Sequence, residues 1–328
     1  MMRALSVATV LGVMVGVLGC SGSHSGIGSG GAGGTGTGGG GSAGSGGGTT
    51  TMTPDSATFT MTPFAVAAGQ EVYYCQTFAN PFGADVEIAS FESHMTTGSH
   101  HMLLLFQDSA SNGALTPCNG LTFGPMPYGS QRPDDQITYP SGIAALVKST
   151  QGFNLVVHYL NATTNDIPAT SVTVTLHKAD AGTVQQHAGV FFFDNVSALT
   201  PTITGPDGMP GGIPPNTTKT ISASYTTTAD MNIIYAVAHM HQKSLSLTAT
   251  YGGTMLYTTD SWDQPPIQAY TPPVTLPAGT TISWSCTIDN DTGTTLTFGE
   301  SALTNEMCIF NGQYWPAPDD SPTNSVIR

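Results

Sequence analysis

Basic residues are scarce in this chain: of its 328 residues only seven are Lys or Arg, against 21 Asp or Glu, and the formal net charge is −14. No run of basic side chains is present that could follow a phosphate backbone, which argues against nucleic acid as a partner. Helical patterns are also missing, because no window of about a dozen residues keeps an apolar period of 3.6. Charged residues make up only 9% of the chain, and Thr, Ser, Gly and Pro are abundant, as is typical of exported β proteins.

Short alternating or apolar runs, bounded by Gly, Pro, Asn and Asp, take the place of helices. Their lengths and their β-branched and aromatic content predict strands. They cover residues 71–77, 85–91, 101–106, 153–160 and 171–177, and then 189–194, 219–225, 231–240, 245–251, 280–288 and 294–299. The pattern predicts an all-β chain of two tandem antiparallel β-sandwiches, each of about seven to nine strands.

The first residues are predicted to be a targeting segment rather than folded structure. Residues 1–3 form a short positive start, residues 4–17 an apolar run too short to span a membrane comfortably, and Leu-Gly-Cys ends at Cys20. This segment resembles a bacterial lipoprotein signal, which implies cleavage before Cys20, acylation of that cysteine and a lipid anchor in the cell envelope. Ser21 favours the outer membrane of a Gram-negative cell. A plain secretory signal is the alternative, because the apolar length fits both.

Domain boundaries follow from composition. Residues 21–53 are mostly Gly, Ser, Thr and Ala, a composition that cannot bury a core and behaves as a flexible linker. The remaining chain is long enough for two domains. We place the boundary near residue 181, which gives an N-terminal sandwich over 54–181 and a C-terminal sandwich over 182–328. No internal sequence repeat is detectable.

Five cysteines are present, and with Cys20 assigned to lipid an even number remains. In an exported chain this predicts two disulfides and leaves three connectivities open. We pair neighbours, Cys75 with Cys118 and Cys286 with Cys308. A thiolate metal site is the competing interpretation, but no Cys-x-x-Cys spacing supports it.

A His-x-His pair, His239 and His241, lies at the end of an apolar run. Side chains two apart on a strand share a face, so both imidazoles can bind one metal ion. The spacing alone does not distinguish copper, zinc, iron and nickel, and two polar residues at the solvent-facing end of a strand are the alternative. Met307 would add a thioether, which favours Cu(I) over zinc, although methionine is also common core filler.

Three more histidines define a second candidate site in the N-terminal domain. His100 and His101 begin an apolar strand, and adjacent residues can bind one ion only at a strand end or a bulge. His158 lies within a buried-looking run, where a core histidine with a hydrogen-bond partner is the alternative. His94, His177 and His187 are interpreted as surface residues or as residues that support a ligand, and His94 is the one most expected to matter, because it is close to the pair in sequence.

Several motifs together resemble the copper type II, ascorbate-dependent monooxygenases, the family of the peptidylglycine α-hydroxylating and dopamine β-monooxygenases. They follow the family order and span most of the chain. The motifs are His-His-Met-Leu-Leu at 100–104, Val-His-Tyr at 157–159, Ile-Pro-Pro at 213–215, His-x-His at 239 and 241, and Asn-Glu-Met-Cys at 305–308.

The resemblance implies two jelly-roll-like sandwiches with a solvent-filled cleft between them and two copper ions facing each other across it. The expected ligands of the electron-transfer copper are His100, His101 and His158; those of the catalytic copper are His239, His241 and Met307. The expected reaction hydroxylates a C–H bond of a small organic or peptide-like substrate with O2 and a one-electron donor such as ascorbate. The proposed cysteine pairs also match two disulfides of the family.

The resemblance leaves the substrate open. Peptide-hydroxylating members hold a substrate carboxylate with Arg, Asn and Tyr at positions that correspond here to Val237, Ile309 and Asn311. Because an Arg fork is the usual way to hold a carboxylate, this argues against a C-terminal glycine and for a less polar molecule or another peptide feature. One alternative function is a non-enzymatic copper-binding surface lipoprotein that buffers or delivers metal; another is a structural sandwich with inactive sites.

Overall fold

The computed structural model describes residues 47–108, 111–119, 125–204, 208–317 and 325–327. The predicted signal segment, the predicted lipidation site Cys20 and the linker up to residue 46 lie outside these residues. The described chain from Gly47 onward belongs to one compact unit. Its secondary structure is almost entirely β, which confirms the predicted class.

The described residues of the N-terminal half form twelve strands, several of them short. They are β1 (Thr49–Met52), β2 (Ser56–Thr60), β3 (Glu71–Phe78), β4 (Val86–Met95), β5 (Ser99–Gln107), β6 (Thr116–Pro117), β7 (Tyr128–Ser130), β8 (Asp134–Thr138), β9 (Ile143–Val147), β10 (Gly152–Leu160), β11 (Val172–Lys178) and β12 (Gln186–His187). Because β1 pairs with β2, the last residues of the segment predicted as a linker form a strand.

In the C-terminal half, the described residues form the remaining strands and one short helix. They are β13 (Gly189–Asp194), α1 (Val196–Leu199), β14 (Thr217–Thr226), β15 (Met231–Met240), β16 (Ser244–Tyr251), β17 (Thr254–Thr259), β18 (Gln268–Leu276), β19 (Thr281–Asn290), β20 (Cys308–Trp315) and β21 (Ser325–Ile327). β12 pairs with β9 of the first half. The chain therefore changes sandwich at Ala188, slightly later than predicted.

Each half is a sandwich of two sheets. The N-terminal sheets run β1-β2-β11-β4-β9-β12, with β8 also on β4, and β6-β3-β10-β5-β7. The C-terminal sheets run β18-β15-β20-β13-β21 and β14-β19-β16-β17. Pairing is antiparallel except for β12 on β9 and β21 on β13.

The same fold occurs twice. The main strands of each half can be counted from 1 to 8 if β1, β6, β12 and β21 are left out and β8 and β9 share position 6. Counted in this way, both halves show the sheet orders 1-8-3-6 and 2-7-4-5. This is the strand order of a jelly roll, built from two Greek keys. Strands β2 to β11 thus correspond to β13 to β20, a duplication that the sequence does not reveal.

A buried asparagine closes the same corner in both halves. Asn161 and Asn290 each donate from Nδ2 to three backbone carbonyls and accept at Oδ1 from the threonine two residues on. The carbonyls belong to Val66, Ala67 and Asn165 in the first half, and to Ile213, Pro214 and Thr294 in the second. Since buried backbone acceptors need partners, each asparagine stabilises the crossing between the two sheets of its sandwich.

Both predicted disulfides are confirmed. Cys75 in β3 is bonded to Cys118 with an S–S distance of 2.03 Å, and Cys286 in β19 to Cys308 in β20 at 2.11 Å. The second bond joins the two sheets of the C-terminal sandwich directly after Met307. Disulfides persist in oxidising compartments, which indicates an extracellular or periplasmic location. Within the described ranges, no helix has the length and apolar character needed to cross a membrane.

The two halves face each other through non-equivalent sheets. The N-terminal sheet that contains β3, β5, β7 and β10 lies against the C-terminal sheet that contains β13, β15 and β20. Side-chain hydrogen bonds cross this contact: Gln131 donates to the carbonyl of Ala238, and Gln313 donates to that of Pro127 at 3.1 Å. Residues between these two sheets therefore have neighbours from both sandwiches.

Candidate metal centre

Five histidines converge between the two facing sheets. His100 and His101 come from β5, His158 from β10, and His239 and His241 from the end of β15. The ring centroid of His100 lies 4.9 Å from that of His158, 5.2 Å from His239 and 5.5 Å from His241. The ring of His239 is also 5.0 Å from His101 and 5.2 Å from His241. One ligand atom each of His100, His101 and His239 lies within 4.8 Å of the others, which is suited to a shared ion.

The two histidine sets that the resemblance placed on opposite sides of a solvent-filled gap are in contact. His100 touches both His239 and His241, and all five histidines are buried. The expected separation is therefore wrong for this structure. The physical reason is that the facing sheets pack directly, through the cross-sandwich hydrogen bonds and through Ile234, which belongs to the core of the N-terminal half. A cleft is present, but it opens beside the histidines.

A bulge in β5 turns His100 toward the cluster. His101 pairs with His158, and the next pair is Ser99 with Tyr159, so the register shifts by one residue and His100 is the extra one. A bulge breaks the strict alternation of faces. This is the condition under which two adjacent imidazoles were expected to reach one ion.

A second bulge, in β15, turns His239 and His241 toward the N-terminal half. The register with β20 shifts between Ile233 and Tyr235. Before the shift the odd-numbered residues face the C-terminal core; after it the even-numbered ones do, namely Ala236, Ala238 and Met240. Because a one-residue slip moves every later side chain to the other face, His239 and His241 point out of their own sandwich. Without this bulge both would point into the apolar core.

Four imidazole nitrogens in the cluster are buried without a hydrogen-bond partner among the described residues. They are Nε2 of His100, Nδ1 of His101, Nδ1 of His158 and Nε2 of His241. Burial lowers the pKa of all five histidines below the ordinary value, to about 3 for His239, so the rings are neutral. Buried polar atoms normally have partners, and a neutral imidazole with a free lone pair is a metal ligand. The residues present therefore fit a metal centre.

Three of the rings are held at their other nitrogen. His158 Nε2 donates to the Glu71 carboxylate at 2.8 Å, and His241 Nδ1 lies 3.4 Å from the Asn305 carbonyl. His239 Nδ1 lies 2.7 Å from Oε1 of Gln131, which must accept, because Nε2 of Gln131 donates to a carbonyl. Such contacts fix the tautomer of a ligating histidine and direct its free lone pair inward.

Strand β3 ties His158 to a loop of the C-terminal half. Glu71 accepts from Ser301 Oγ at 2.6 Å and from the Ala302 N–H at 2.7 Å, in addition to His158. Burial alone would raise the pKa of Glu71, but these hydrogen bonds outweigh it and lower the pKa. Tyr73 stacks on His158 with centroids 3.9 Å apart and donates to the Glu300 carbonyl at 2.6 Å. Glu71 and Tyr73 thus position a candidate ligand and the opposing sandwich together.

Glu306 links the His-x-His pair to Met307. Its carboxylate is fully buried and accepts the backbone N–H groups of His241 at 2.7 Å, Met307 at 2.9 Å and Lys243 at 3.1 Å. Burial raises the pKa of Glu306 to about 7. Met307 itself is buried and lines the cleft together with His101 and His239. Glu306 was part of a quoted motif, but its role was not predicted, and neither were those of Gln131 and Glu71.

The cleft opens between the facing sheets next to His101, His239 and Met307. Its walls carry mostly apolar side chains from both halves. They include Leu103, Met126 and Ile137 from the first half, and Val190, Phe192, Val237, Pro265, Ile267 and Ile309 from the second. Asn311 also lines it. The three positions that the resemblance assigned to a carboxylate clamp thus face this cleft, although none of them is cationic.

Three further histidines, His94, His177 and His187, lie outside the cluster. His94 is about half exposed on β4 and contacts Asp134 at 2.6 Å, so of the two interpretations it is a surface residue and does not support the metal site. His177 and His187 lie near Glu92 and Glu87, at 3.5 and 3.1 Å. Proximity in sequence misled for His94, because β4 belongs to the outer sheet of its sandwich.

Comparison with known proteins adds little. Neither a protein-family model nor a curated protein sequence matches the chain. Among solved structures it is similar to PNGF-II, with 5% identity, a TM-score of 0.28, and coverage of 78% of this chain and 59% of that chain. It is also similar to a β-porphyranase of glycoside hydrolase family 86 from the human gut bacterium Bacteroides plebeius, with 7% identity, a TM-score of 0.20, and coverage of 82% of this chain and 36% of that chain. For AerE from Microcystis aeruginosa the identity is 7%, the TM-score is 0.17, and the coverage is 82% of this chain and 97% of that chain. These likenesses are too distant to indicate a function.

If the centre binds copper, as the resemblance implies, Gln131→Met should weaken that binding by about 10- to 100-fold, the usual cost of removing a group that orients a ligating histidine. Methionine keeps the length of the side chain but removes both hydrogen bonds, so His239 loses its fixed tautomer. The measurement is a competitive copper titration, with circular dichroism as a check of the fold. Gln136→Met, at an exposed position on β8, is the matched control and should bind copper like the wild type. Equal affinities for the two variants would contradict a positioning role for Gln131.

Proposed function

We propose that this chain is a copper-dependent monooxygenase whose metal centre lies between its two sandwiches. One observation carries the proposal: five buried imidazoles converge there, and in four of them one nitrogen has no hydrogen-bond partner in the part of the chain that the structure describes. The thioether of Met307, on the adjacent cleft wall, adds a soft donor of the kind that selects copper. Copper would be held by His100, His101, His158, His239, His241 and Met307, as the resemblance to copper type II monooxygenases implies.

Bound copper would supply electron transfer and oxygen chemistry for hydroxylating a substrate C–H bond, with electrons from a donor such as ascorbate. The residues of the chain prepare the site. Glu71 and Gln131 hold His158 and His239 in the tautomers that leave a lone pair for the metal. Burial keeps the imidazoles neutral and limits the access of water. The cleft would place an organic substrate beside His239 and Met307.

We also propose attachment to a membrane through a lipid on Cys20. The sequence around this residue resembles a lipoprotein signal, and the two disulfides fit a protein outside the cytosol. Ser21 favours the outer membrane of a Gram-negative cell. Metabolic labelling with a radioactive fatty acid tests the proposal: the wild type should incorporate label, and Cys20→Ser should not.

A second candidate is a non-enzymatic copper-binding protein that buffers or delivers the metal. The observation that favours it is the close packing of all five rings in a buried site, which suits tight binding of an ion without an open coordination position. Such a protein would bind copper and use no oxygen. Oxygen consumption that depends on both ascorbate and an organic substrate separates the two candidates.

The deciding experiment compares the copper-loaded wild type with Met307→Ala in an oxygen electrode, with ascorbate and a panel of organic substrates. The wild type should consume oxygen in a substrate-dependent way, and Met307→Ala should lose this activity while remaining folded. Met255→Ala is the matched control, because Met255 is 56% exposed and lies outside the site. Copper binding without oxygen consumption by the wild type would favour the buffering protein. Normal turnover by Met307→Ala would remove Met307 from the reaction.

A further inference from the structure

The cleft beside the metal centre has an unusual lining for a site between two exported sandwiches. The strand faces that form it, on β5, β13, β15 and β20, present apolar side chains to the cleft, whereas the outer sheets present threonine and serine. Leu103, Phe192 and Val237 are only partly buried there. Apolar surface that remains open in an otherwise packed contact is stabilised by an apolar occupant.

Charge is nearly absent from this lining. Among the residues that the structure describes, no Asp, Glu or Lys lines the cleft, and Arg132 is the one permanently charged residue of the lining. Arg132 is exposed, and Asp135 lies close enough to interact with it electrostatically. A carboxylate that entered the cleft would therefore lose its hydration. The one cation near it would be Arg132 at the edge, whose charge is partly offset by Asp135. Burying a charge without a partner is far more costly than burying a neutral group.

Neutral polar side chains line the cleft from both halves, but those of Tyr73, Tyr128, Ser130, Gln131 and Tyr235 are hydrogen-bonded within the protein. Asn311 and Gln313 lie on β20, and Gln313 is already held by the carbonyl of Pro127. Asn311 can both donate and accept a hydrogen bond. Such a lining suits a ligand with an apolar body and at most a neutral polar group, such as a hydroxyl.

We propose that the cleft binds a small, uncharged and mainly apolar organic molecule, and that it discriminates against carboxylates. Binding as such does not require copper; that the molecule is the substrate rests on the proposed function. Its position is set by the walls of both sandwiches, with Phe192 and Val237 on one side and Leu103 on the other. The bound molecule would lie next to His101, His239 and Met307.

The test uses two probes with the same carbon skeleton, phenylbutanol and phenylbutanoate, and isothermal titration calorimetry on the full chain in metal-free and copper-loaded forms. Phenylbutanol should bind at least about tenfold more tightly than phenylbutanoate in both forms. Phe192→Ala and Val237→Asn should each weaken phenylbutanol binding about tenfold or more. Leu245→Ala, which truncates a 51% exposed leucine of β16 outside the cleft, should leave it unchanged.

The inference would be overturned if phenylbutanoate bound as tightly as phenylbutanol or more tightly. It would also be overturned if neither probe bound. If phenylbutanoate binds more tightly than phenylbutanol to the wild type but not to Arg132→Gln, the cleft is an anion site instead. The proposed function fails separately: binding of phenylbutanol without any turnover of a copper-loaded panel would leave the inference intact and remove the monooxygenase. Circular dichroism of each variant distinguishes a lost contact from a lost fold.

Discussion

His239→Ala is expected to disturb copper binding by the histidines of both sandwiches. The ring of His239 contacts His100 and His101 of the N-terminal half as closely as it contacts His241 of its own half. Losing a group that merely orients a ligand costs about 10- to 100-fold in affinity, so losing a central ligand should cost more than about 100-fold. The measurements are copper stoichiometry after reconstitution and the electron paramagnetic resonance spectrum of the Cu(II) form.

The control and the contrary outcome for His239→Ala are both defined by the structure. His94→Ala removes an exposed histidine outside the cluster and should leave stoichiometry and spectrum unchanged. His158→Ala should alter the same spectral signal as His239→Ala, because both rings contact His100. If each variant instead loses one ion and leaves the signal of the other intact, the two ligand sets bind independently, as the resemblance implies.

Glu306→Ala is expected to lower the free energy of unfolding of the C-terminal sandwich by about 3–5 kcal/mol. The carboxylate is the acceptor for the N–H groups of His241, Lys243 and Met307, and a buried donor left without a partner costs roughly 1–3 kcal/mol. Because two of these residues are candidate ligands, copper affinity should fall as well. Glu306→Gln keeps one acceptor oxygen but turns an NH2 group toward the donors, so its effect should be intermediate.

Urea unfolding followed by tryptophan fluorescence measures this effect chiefly through Trp284, because Trp315 packs against the core of the N-terminal half. The three tryptophans, Trp262, Trp284 and Trp315, all lie in the C-terminal half, and Trp284 is buried in its core. Glu92→Ala, at a largely exposed carboxylate on the outer sheet of the N-terminal half, is the control and should change stability by no more than about 0.5 kcal/mol. A Glu306→Ala protein as stable as the control would show that water or a local shift satisfies the three donors.

The fold was predictable from sequence because its signals are local. Period-two alternation and turn residues indicate the strands, and an even number of cysteines in an exported chain indicates the disulfides. The choice of the clustered histidines rested instead on the resemblance of several motifs to a family, because the local pattern at His158 equally fits a core histidine. The merger of these histidines into one cluster was not predictable, since it depends on contacts between residues far apart in the chain. Gln131 reaches His239 across 108 positions and Glu71 reaches Ser301 across 230.

Local patterns also cannot reveal the bulge that directs His239 out of its sandwich. The run 231–240 is apolar on both faces, because one face packs in the core and the other meets the N-terminal half. A strand buried on both sides loses its alternation, so a slip of one residue leaves no trace in the pattern. The bulge at His100 differs, because two adjacent histidines can serve one ion only if the alternation is broken.

The duplication of the jelly roll has a consequence for the two outer faces of the molecule. The two sandwiches contact each other through non-equivalent sheets. The inner sheet of the first sandwich corresponds to the outer sheet of the second, and the inner sheet of the second corresponds to the outer sheet of the first. A contact between non-equivalent faces does not close on itself and could in principle repeat without end. Both outer faces instead carry hydrogen-bonded threonine pairs, Thr58 with Thr175 on one and Thr220 with Thr287 on the other. Such polar rows suit contact with water rather than with another apolar sheet. The histidines lie instead at the buried contact between the two sandwiches.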